Sequence, residues 1–400
     1  MNQNPKSEIR NPKSEWGLNT TAIHAGDGEG RDVAQPIHVA TTYSYDSAGQ
    51  AAHVFEHEDM PIYTRWGNPT LDVLGQKVAA LEGAEAGLAT ASGMAAISSA
   101  LLTALSPGDH LIATTGLYSA TYHLVQHDLP RMGIETSLAE ATDPGAFAAA
   151  LRPNTRAIYL ESPGNPNFAL NDIVAISEIA GAHGALTLID NTFATPVNQR
   201  PHALGVDIVV HSATKFLCGH GDAIAGVITG PAEFLDRALK GVLRNFGGVL
   251  SPFNAWIVAR GVQTLPLRMA RHNENAQALA NWLAGHPAVR EVRYPFHPSH
   301  PQYELARRQM SGGGGVLVFE LAGGYEAGQR MLDRVQLCIL TVSLGDTRTL
   351  ITHPASTTHY SVPREYRLAS GIPDGLVRLA VGLEDVGDII ADLDGAMGGE

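Results

Sequence analysis

The chain is poor in cysteine, in cations and in long apolar runs, and each shortage removes a class of protein. Cys218 and Cys338 are the only cysteines and stand far apart, too few for a disulfide framework. They fit a reducing cytoplasm. No stretch approaches the roughly eighteen consecutive apolar residues of a membrane-spanning helix, and the N-terminus lacks the apolar centre of a secretory signal. Lysine and arginine number 27 against 40 aspartates and glutamates, a formal net charge of -13. With no basic cluster, nucleic acid and anionic membrane are poor partners. The 17 histidines include no metal-ligand spacing such as H-E-x-x-H, and His297 and His300 fall in a proline-rigid loop. What remains is 400 residues, 44 % hydrophobic and 17 % charged, enough for two or three substantial cores. The expectation is a soluble, cytoplasmic protein.

Asn4-Pro5-Lys6-Ser7-Glu8 recurs as Asn11-Pro12-Lys13-Ser14-Glu15, a polar, proline-broken tail that cannot bury apolar surface. From Thr20 to about Met60 no period persists, and an arm lying against a neighbouring subunit is one candidate. Tyr63 and Arg65, two apart before a turn, point the same way and offer phosphate a hydroxyl and a guanidinium fork. A salt bridge beside a packed tyrosine would look the same. Apolar residues at Leu71, Leu74, Val78 and Leu81 predict a helix over 70–81, ended by Gly83.

Strand and helix then alternate from about 85 to 230, which predicts a mostly parallel sheet covered on both faces. Leu88-Ala89-Thr90 reads as a strand and Ala95 to Leu105 as a helix, with Ser92-Gly93-Met94 between them. Ser92-Gly93 at a helix start presents free N–H groups and suits an anion; N-capping by Ser92 is the plainer alternative. The strand Leu111-Ile112-Ala113 leads to Tyr118, which can stack on a flat ring or fill core. The strand Ala157 to Leu160 runs into Glu161-Ser162-Pro163-Gly164-Asn165-Pro166, where Asn165 sits at a ligand-binding strand end or in an ordinary polar turn. The strand Ala185 to Asp190 ends on a carboxylate, costly in a core unless it meets a cation or donors. Pro196 argues against a helix soon after it.

Ile208-Val209-Val210 is a further buried strand, running into His211-Ser212-Ala213-Thr214-Lys215. A lysine at the mouth of an apolar strand is desolvated and suited to Schiff-base chemistry, although alone it reads as a surface lysine. Helical patterns follow at Asn254 to Arg260 and Leu265 to Leu283. Gly312 to Gly315 precedes a strand rather than a helix and reads as a flexible turn, not a phosphate loop. Arg378, inside the strand Val377 to Val381, needs an anion, from the protein or from a substrate. Together these residues fit one cofactor. Pyridoxal phosphate has an aldehyde for Lys215, a ring nitrogen for Asp190 and a phosphate for Ser92-Gly93 with Arg65; its amino-acid substrates carry a carboxylate for Arg378.

The ordered motifs Tyr63-Thr64-Arg65, Ser92-Gly93-Met94, Glu161 to Pro166, Asp190-Asn191-Thr192, Ser212 to Lys215 and Val342-Ser343-Leu344-Gly345-Asp346 resemble the pyridoxal-phosphate (PLP) enzymes of cysteine and methionine metabolism. That trans-sulfuration family includes cystathionine and methionine γ-lyases, cystathionine γ-synthase and homoserine-ester sulfhydrylases. The likeness runs from about Thr21 to Leu393. It implies an α/β, fold-type I PLP-dependent transferase, with a mostly parallel central sheet, helices on both faces and a smaller α/β C-terminal domain. The boundaries it implies are 1–64 for a tail and arm contacting the neighbouring subunit, 65–265 for the PLP-binding large domain and 266–400 for the small domain.

The resemblance also implies roles. Lys215 carries the Schiff base and moves protons, Asp190 pairs with the ring nitrogen, and Tyr118 stacks on the ring and assists departure of the leaving group. Ser92, Gly93, Met94, Ser212 and Thr214 hold the phosphate, joined by Tyr63 and Arg65 of a neighbouring copy in a homotetramer, while Asn165, Ser343 and Arg378 place the substrate. Ser343 to Asp346 and His297 to Met310 look most like methionine γ-lyases, which predicts γ-elimination on a sulfur amino acid. Ala120 and Leu243-Arg244 depart from that pattern, where methionine γ-lyases have a cysteine and a lysine-aspartate pair. Ser251 to Ala255 and His353 to His359 also look like sulfhydrylase stretches, so γ-replacement on an O-acyl-homoserine is the alternative.

Overall fold

Short apolar runs with no polar alternation become strands buried on both faces. In the computed structural model, which describes residues 16–27, 32–360, 362–369 and 371–398, they form a seven-stranded sheet. The repeat in residues 1–15 lies outside the described residues. The strands are β1 (Ala86–Thr90), β2 (His110–Thr114), β3 (Glu135–Ala139), β4 (Thr155–Glu161), β5 (Leu186–Asp190), β6 (Ile208–His211) and β7 (Gly226–Gly230). Their order is β1-β7-β6-β5-β4-β2-β3. β7 is antiparallel to both neighbours and every other pairing is parallel, the mostly parallel sheet expected. Tyr159, Leu188 and Val210 pack on helix Gly93–Ala104 at one face; Ile158, Ile189 and Val209 pack on helix Ile173–His183 at the other.

A five-stranded sheet follows, of β8 (Val289–Arg293), β9 (Val316–Leu321), β10 (Ile339–Leu340), β11 (Leu350–Thr352) and β12 (Leu376–Ala380), ordered β10-β11-β12-β9-β8. The 20-residue helix Leu265–Ala284 packs its Ala276, Leu279 and Leu283 onto this sheet through one core with Leu317, Phe319, Val377 and Leu379.

Several elements differ from the sequence expectation for identifiable reasons. β3 was not expected because an edge strand reading Glu-Thr-Ser-Leu-Ala has no apolar run, and β7 because glycines bound it. Thr195–Asn198 is a short helix despite Pro196, since a proline in the first turn gives up an N–H that has no partner there anyway. Gly312 to Gly315 is no flexible turn. All four are buried, and side chains there would strike Asn273, Tyr294, His272 and Phe216.

Helix Pro69–Glu82 behaves as its period predicts, with Asn68 as N-cap and Gly83 left-handed at its end. It also lies directly on β1: a Cβ on Gly75 would sit 2.3 Å from the Gly87 carbonyl oxygen. Gly75→Ala therefore opposes two effects. Helix propensity favours alanine by about 1 kcal/mol, but a backbone-to-backbone clash cannot relax by turning a side chain. The clash should win, with a net loss of about 1–3 kcal/mol in denaturant unfolding; a gain in stability would refute this packing.

Candidate active site

The C-terminal ends of β4, β5 and β6 lie side by side, with Glu161 opposite Asp190 and Asp190 opposite Val210. Open α/β sheets bind ligands at this edge. The Asp190 Oδ1 atom accepts from the Thr192 N–H at 2.9 Å and from the Thr192 hydroxyl. Glu161 is buried and accepts the Tyr118 N–H through Oε2 at 2.8 Å. Burial pushes both carboxyls up, and the charge of Asp190 raises Glu161 further. Asp190 has two Thr192 bonds and the nearby His211 to hold its charge. Glu161 therefore holds a proton more strongly than Asp190 does, raised well above the carboxylate range first by burial and then by Asp190.

Lys215 follows β6 in a loop whose backbone closes on itself: its N–H donates to the Ser212 carbonyl at 3.1 Å and its carbonyl accepts from Gly219 at 2.8 Å. Its amine donates to Ser343 Oγ at 3.1 Å. Burial lowers the amine's pKa, and the Arg378 guanidinium lowers it further. Arg378, on the central strand β12, donates to Asn165 Oδ1 at 3.2 Å and to the carbonyls of Val342 and Ser343 at 2.8 and 3.2 Å. It meets no carboxylate among the described residues. Burial brings its pKa down to about 10, opposed by Tyr118. Lys215, Ser343, Arg378 and Asn165 thus form one bonded chain between the two sheets.

Ser92 caps helix Gly93–Ala104 by accepting the Ala95 N–H at 3.1 Å, so capping and an anion site coexist. The N–H groups of Gly93 and Met94 find no acceptor among the described residues. A Cβ on Gly93 would sit 2.7 Å from the Ser212 Cβ, so only glycine lets the helix start approach the Lys215 loop. Ser212 donates its N–H to Thr192 Oγ1 at 2.8 Å. The Thr214 hydroxyl donates to the Ala225 carbonyl and accepts the Ala225 N–H, both at 3.1 Å.

Tyr63 and Arg65 lie apart from this cradle, bonded to none of its residues. Arg65 stacks over the Tyr63 ring at 5.3 Å and donates to the Arg244 carbonyl at 2.8 Å, on an exposed segment. Thr192, Glu161 and Arg268 also shape the site, although none has a role readable from the sequence. Arg268 is buried and donates to the carbonyls of Phe216 and Gly261, each at 2.7 Å, holding the far side of the Lys215 loop. Glu161 could have been noticed as a second acidic strand end; the other two carry no sequence signal, because their partners are backbone atoms and a neighbour two residues away.

The profile of the family described as Cys/Met metabolism PLP-dependent enzyme matches residues 19–398. The chain belongs to that family. It is 49% identical over 383 residues to an L-methionine gamma-lyase of Fusobacterium nucleatum, spanning 94% of this chain and 97% of that one. It is 41% identical over 402 residues to an O-succinylhomoserine sulfhydrylase of Mycobacterium tuberculosis, spanning 98% and 99%. Among solved structures, a Campylobacter jejuni chain containing N'-pyridoxyl-lysine-5'-monophosphate superposes with a TM-score of 0.93 at 34% identity, over 96% of this chain and all 100% of that one.

The cofactor is pyridoxal phosphate, and this family member has the groups to fit it: free helix-start N–H groups over a glycine-only gap, a carboxylate bonded by Thr192 and a desolvated amine. The low pKa of Lys215 also makes a linkage prediction for the cofactor-free protein. The folded amine holds its proton more weakly than the unfolded one, so burying Lys215 costs stability at neutral pH, and the cost fades as pH rises toward 10.5. Lys215→Met should raise the Tm of the cofactor-free protein at pH 7 and raise it less at pH 10; a gain independent of pH would contradict the desolvated amine.

Proposed function

We propose that this chain catalyses γ-elimination on a sulfur amino acid (methionine, homocysteine or cystathionine), with water giving a thiol, 2-oxobutanoate and ammonia. The single observation that carries the reading is the buried Arg378, which faces only neutral acceptors, beside a desolvated Lys215. A guanidinium with no protein anion is a receptor for a substrate carboxylate. The 49% identity to an L-methionine gamma-lyase supplies the sulfur substrate.

Bound pyridoxal phosphate supplies an electron-withdrawing ring that stabilises negative charge developing at the substrate's Cα. Asp190, its charged form favoured by Thr192, would hold the proton on the ring nitrogen, and Gly93, Met94, Ser92, Ser212 and Thr214 would hold the phosphate. Arg378 and Asn165 grip the α-carboxylate and so orient the Cα–H bond. The Lys215 amine, its hold on its own proton weakened by burial and by Arg378, takes the proton from Cα and then one from Cβ, steered by its bond to Ser343. Tyr118, 46% exposed at the mouth of the site, gives its phenolic proton to the departing sulfur. Lys215→Ala should abolish turnover. Arg378→Leu should raise KM by ~100-fold with a smaller change in kcat, because two charge-assisted bonds to the carboxylate are lost.

The alternative is γ-replacement, which the 41% identity to an O-succinylhomoserine sulfhydrylase favours. Incubation with methionine, cystathionine, homocysteine and O-acetylhomoserine, with and without sulfide, separates the two. 2-Oxobutanoate formed without sulfide is the expected result; homocysteine formed only from ester plus sulfide would overturn the lyase reading.

The seven-stranded sheet falls within 65–265 and the five-stranded sheet within 266–400, which supports a cofactor domain and a small domain, with 1–64 as an arm. Exposed apolar side chains at Val39, Phe246, Phe253 and Leu267 support self-association into a homotetramer whose dimers share active sites. In that assembly Tyr63 and Arg65 reach the phosphate of the neighbouring copy. Arg65→Ala and Lys215→Ala enzymes, each inactive, should regain about a quarter of wild-type activity when unfolded and refolded together, since half the dimers then hold one intact site. No recovery would mean that each chain builds its site alone.

A further inference from the structure

Glu82, the last residue of helix Pro69–Glu82, is 1% exposed and lies outside the cofactor pocket. Its Oε1 accepts from His211 Nε2 at 2.6 Å and from Asn191 Nδ2 at 2.8 Å. His211 ends β6, four residues before Lys215, and Asn191 directly follows Asp190. Asn191 also donates to the Gln199 carbonyl at 3.0 Å and accepts from Gln199 Nε2 at 3.1 Å. Gln199 Nε2 donates in turn to the Ser162 carbonyl at 3.0 Å, where the loop carrying Asn165 begins. All five residues are buried. One carboxylate therefore ties the roots of three loops: those of Lys215, Asp190 and Asn165.

The arrangement is expensive for a plain structural plug. Glu82 Oε2, His211 Nδ1 and Gln199 Oε1 are buried and have no hydrogen-bond partner. Each such atom costs stability, and well-packed apolar residues fill buried space without that cost. Asp190 and Val210 share a register position and face helix Gly93–Ala104 with the pocket, so His211, the next residue along β6, turns to the opposite side of the sheet. The network thus braces the site from behind.

We propose that Glu82 is a positioning residue for the cofactor: through His211 and Asn191 it sets the separation of Asp190 from the Lys215 loop, and so of the groups that meet the two ends of the ring. The inference rests on the reading that those two residues grip pyridoxal phosphate. The same carboxylate reaches Asn165 through Asn191, Gln199 and Ser162, so cofactor and substrate grips share one anchor.

The test titrates cofactor-free protein with pyridoxal 5'-phosphate, reading Kd and the position of the visible absorbance band, with Tm as a measure of stability. Glu82→Ala should raise Kd by ~10-fold or more and shift the band, the scale on which outer-shell groups act at bound cofactors and metals. Glu82→Gln keeps the shape and an acceptor oxygen and should recover most of the affinity. Asp207→Asn is the control: Asp207 Oδ2 accepts from the N–H and hydroxyl of Thr187 at 2.8 and 2.9 Å, on β5 but away from the site. It should lower Tm and leave Kd and the band unchanged. Wild-type affinity and band in Glu82→Ala, or the same losses in Asp207→Asn, would overturn the inference. If Glu82→Ala does not fold, Asn191→Ala replaces it under the same criteria. A wild-type protein that binds no pyridoxal phosphate would instead sink the cofactor reading itself.

Discussion

A buried guanidinium stands beside a half-buried amine, neither bonded to a carboxylate among the described residues, and the rest of the site follows from that conflict. Burial lowers the pKa of both Lys215 and Arg378, and the guanidinium lowers that of the amine further. The guanidinium, far more basic, keeps its proton, and the amine gives up affinity for its own. The repulsion is thereby converted into reactivity: an amine that gives up its proton more readily, for the aldehyde and for proton transfer, and a fixed cation that a substrate carboxylate relieves. Binding of an amino acid thus supplies the missing anion at the place where the base stands.

The carboxyl pair works by the opposite logic. Glu161 and Asp190 sit at one register position on neighbouring parallel strands and cannot both ionise in so dry a place. Thr192 settles which one does, because its N–H and its hydroxyl both go to Asp190. The same hydroxyl oxygen accepts the Ser212 N–H, so the loop that holds the anionic carboxylate and the loop that holds the amine are joined on the pocket side as well as behind it. With Arg268 gripping the far side of the Lys215 loop, the reactive lysine rests on a backbone held from several directions. Preorganisation of this kind lets the few polar groups act without moving.

Much of this was legible in the residues themselves. The strand ends at Asp190 and His211, the Ser92-Gly93 helix start and the inward arginine at 378 each announce a charge or an N–H where a core should have none, and one cofactor answers all of them. Local chemistry was enough for the parallel sheet too, since uninterrupted apolar runs imply burial on two faces. What stayed hidden were edge and glycine-bounded strands such as β3 and β7, whose stability comes from neighbours rather than composition.

The sequence by itself determined the family, the cofactor and the candidate charged partners, because those depend on which side chains exist and in what order. Only the tertiary structure decided their states. That Lys215 holds its proton weakly depends on burial and on Arg378, 163 residues away and on a different sheet. That Asp190 holds its charge more readily than Glu161 depends on a threonine two residues away, and that Glu82 belongs with the site depends on the reverse face of a strand. Protonation is a property of distance and solvent exclusion, and neither is written in any one stretch of chain.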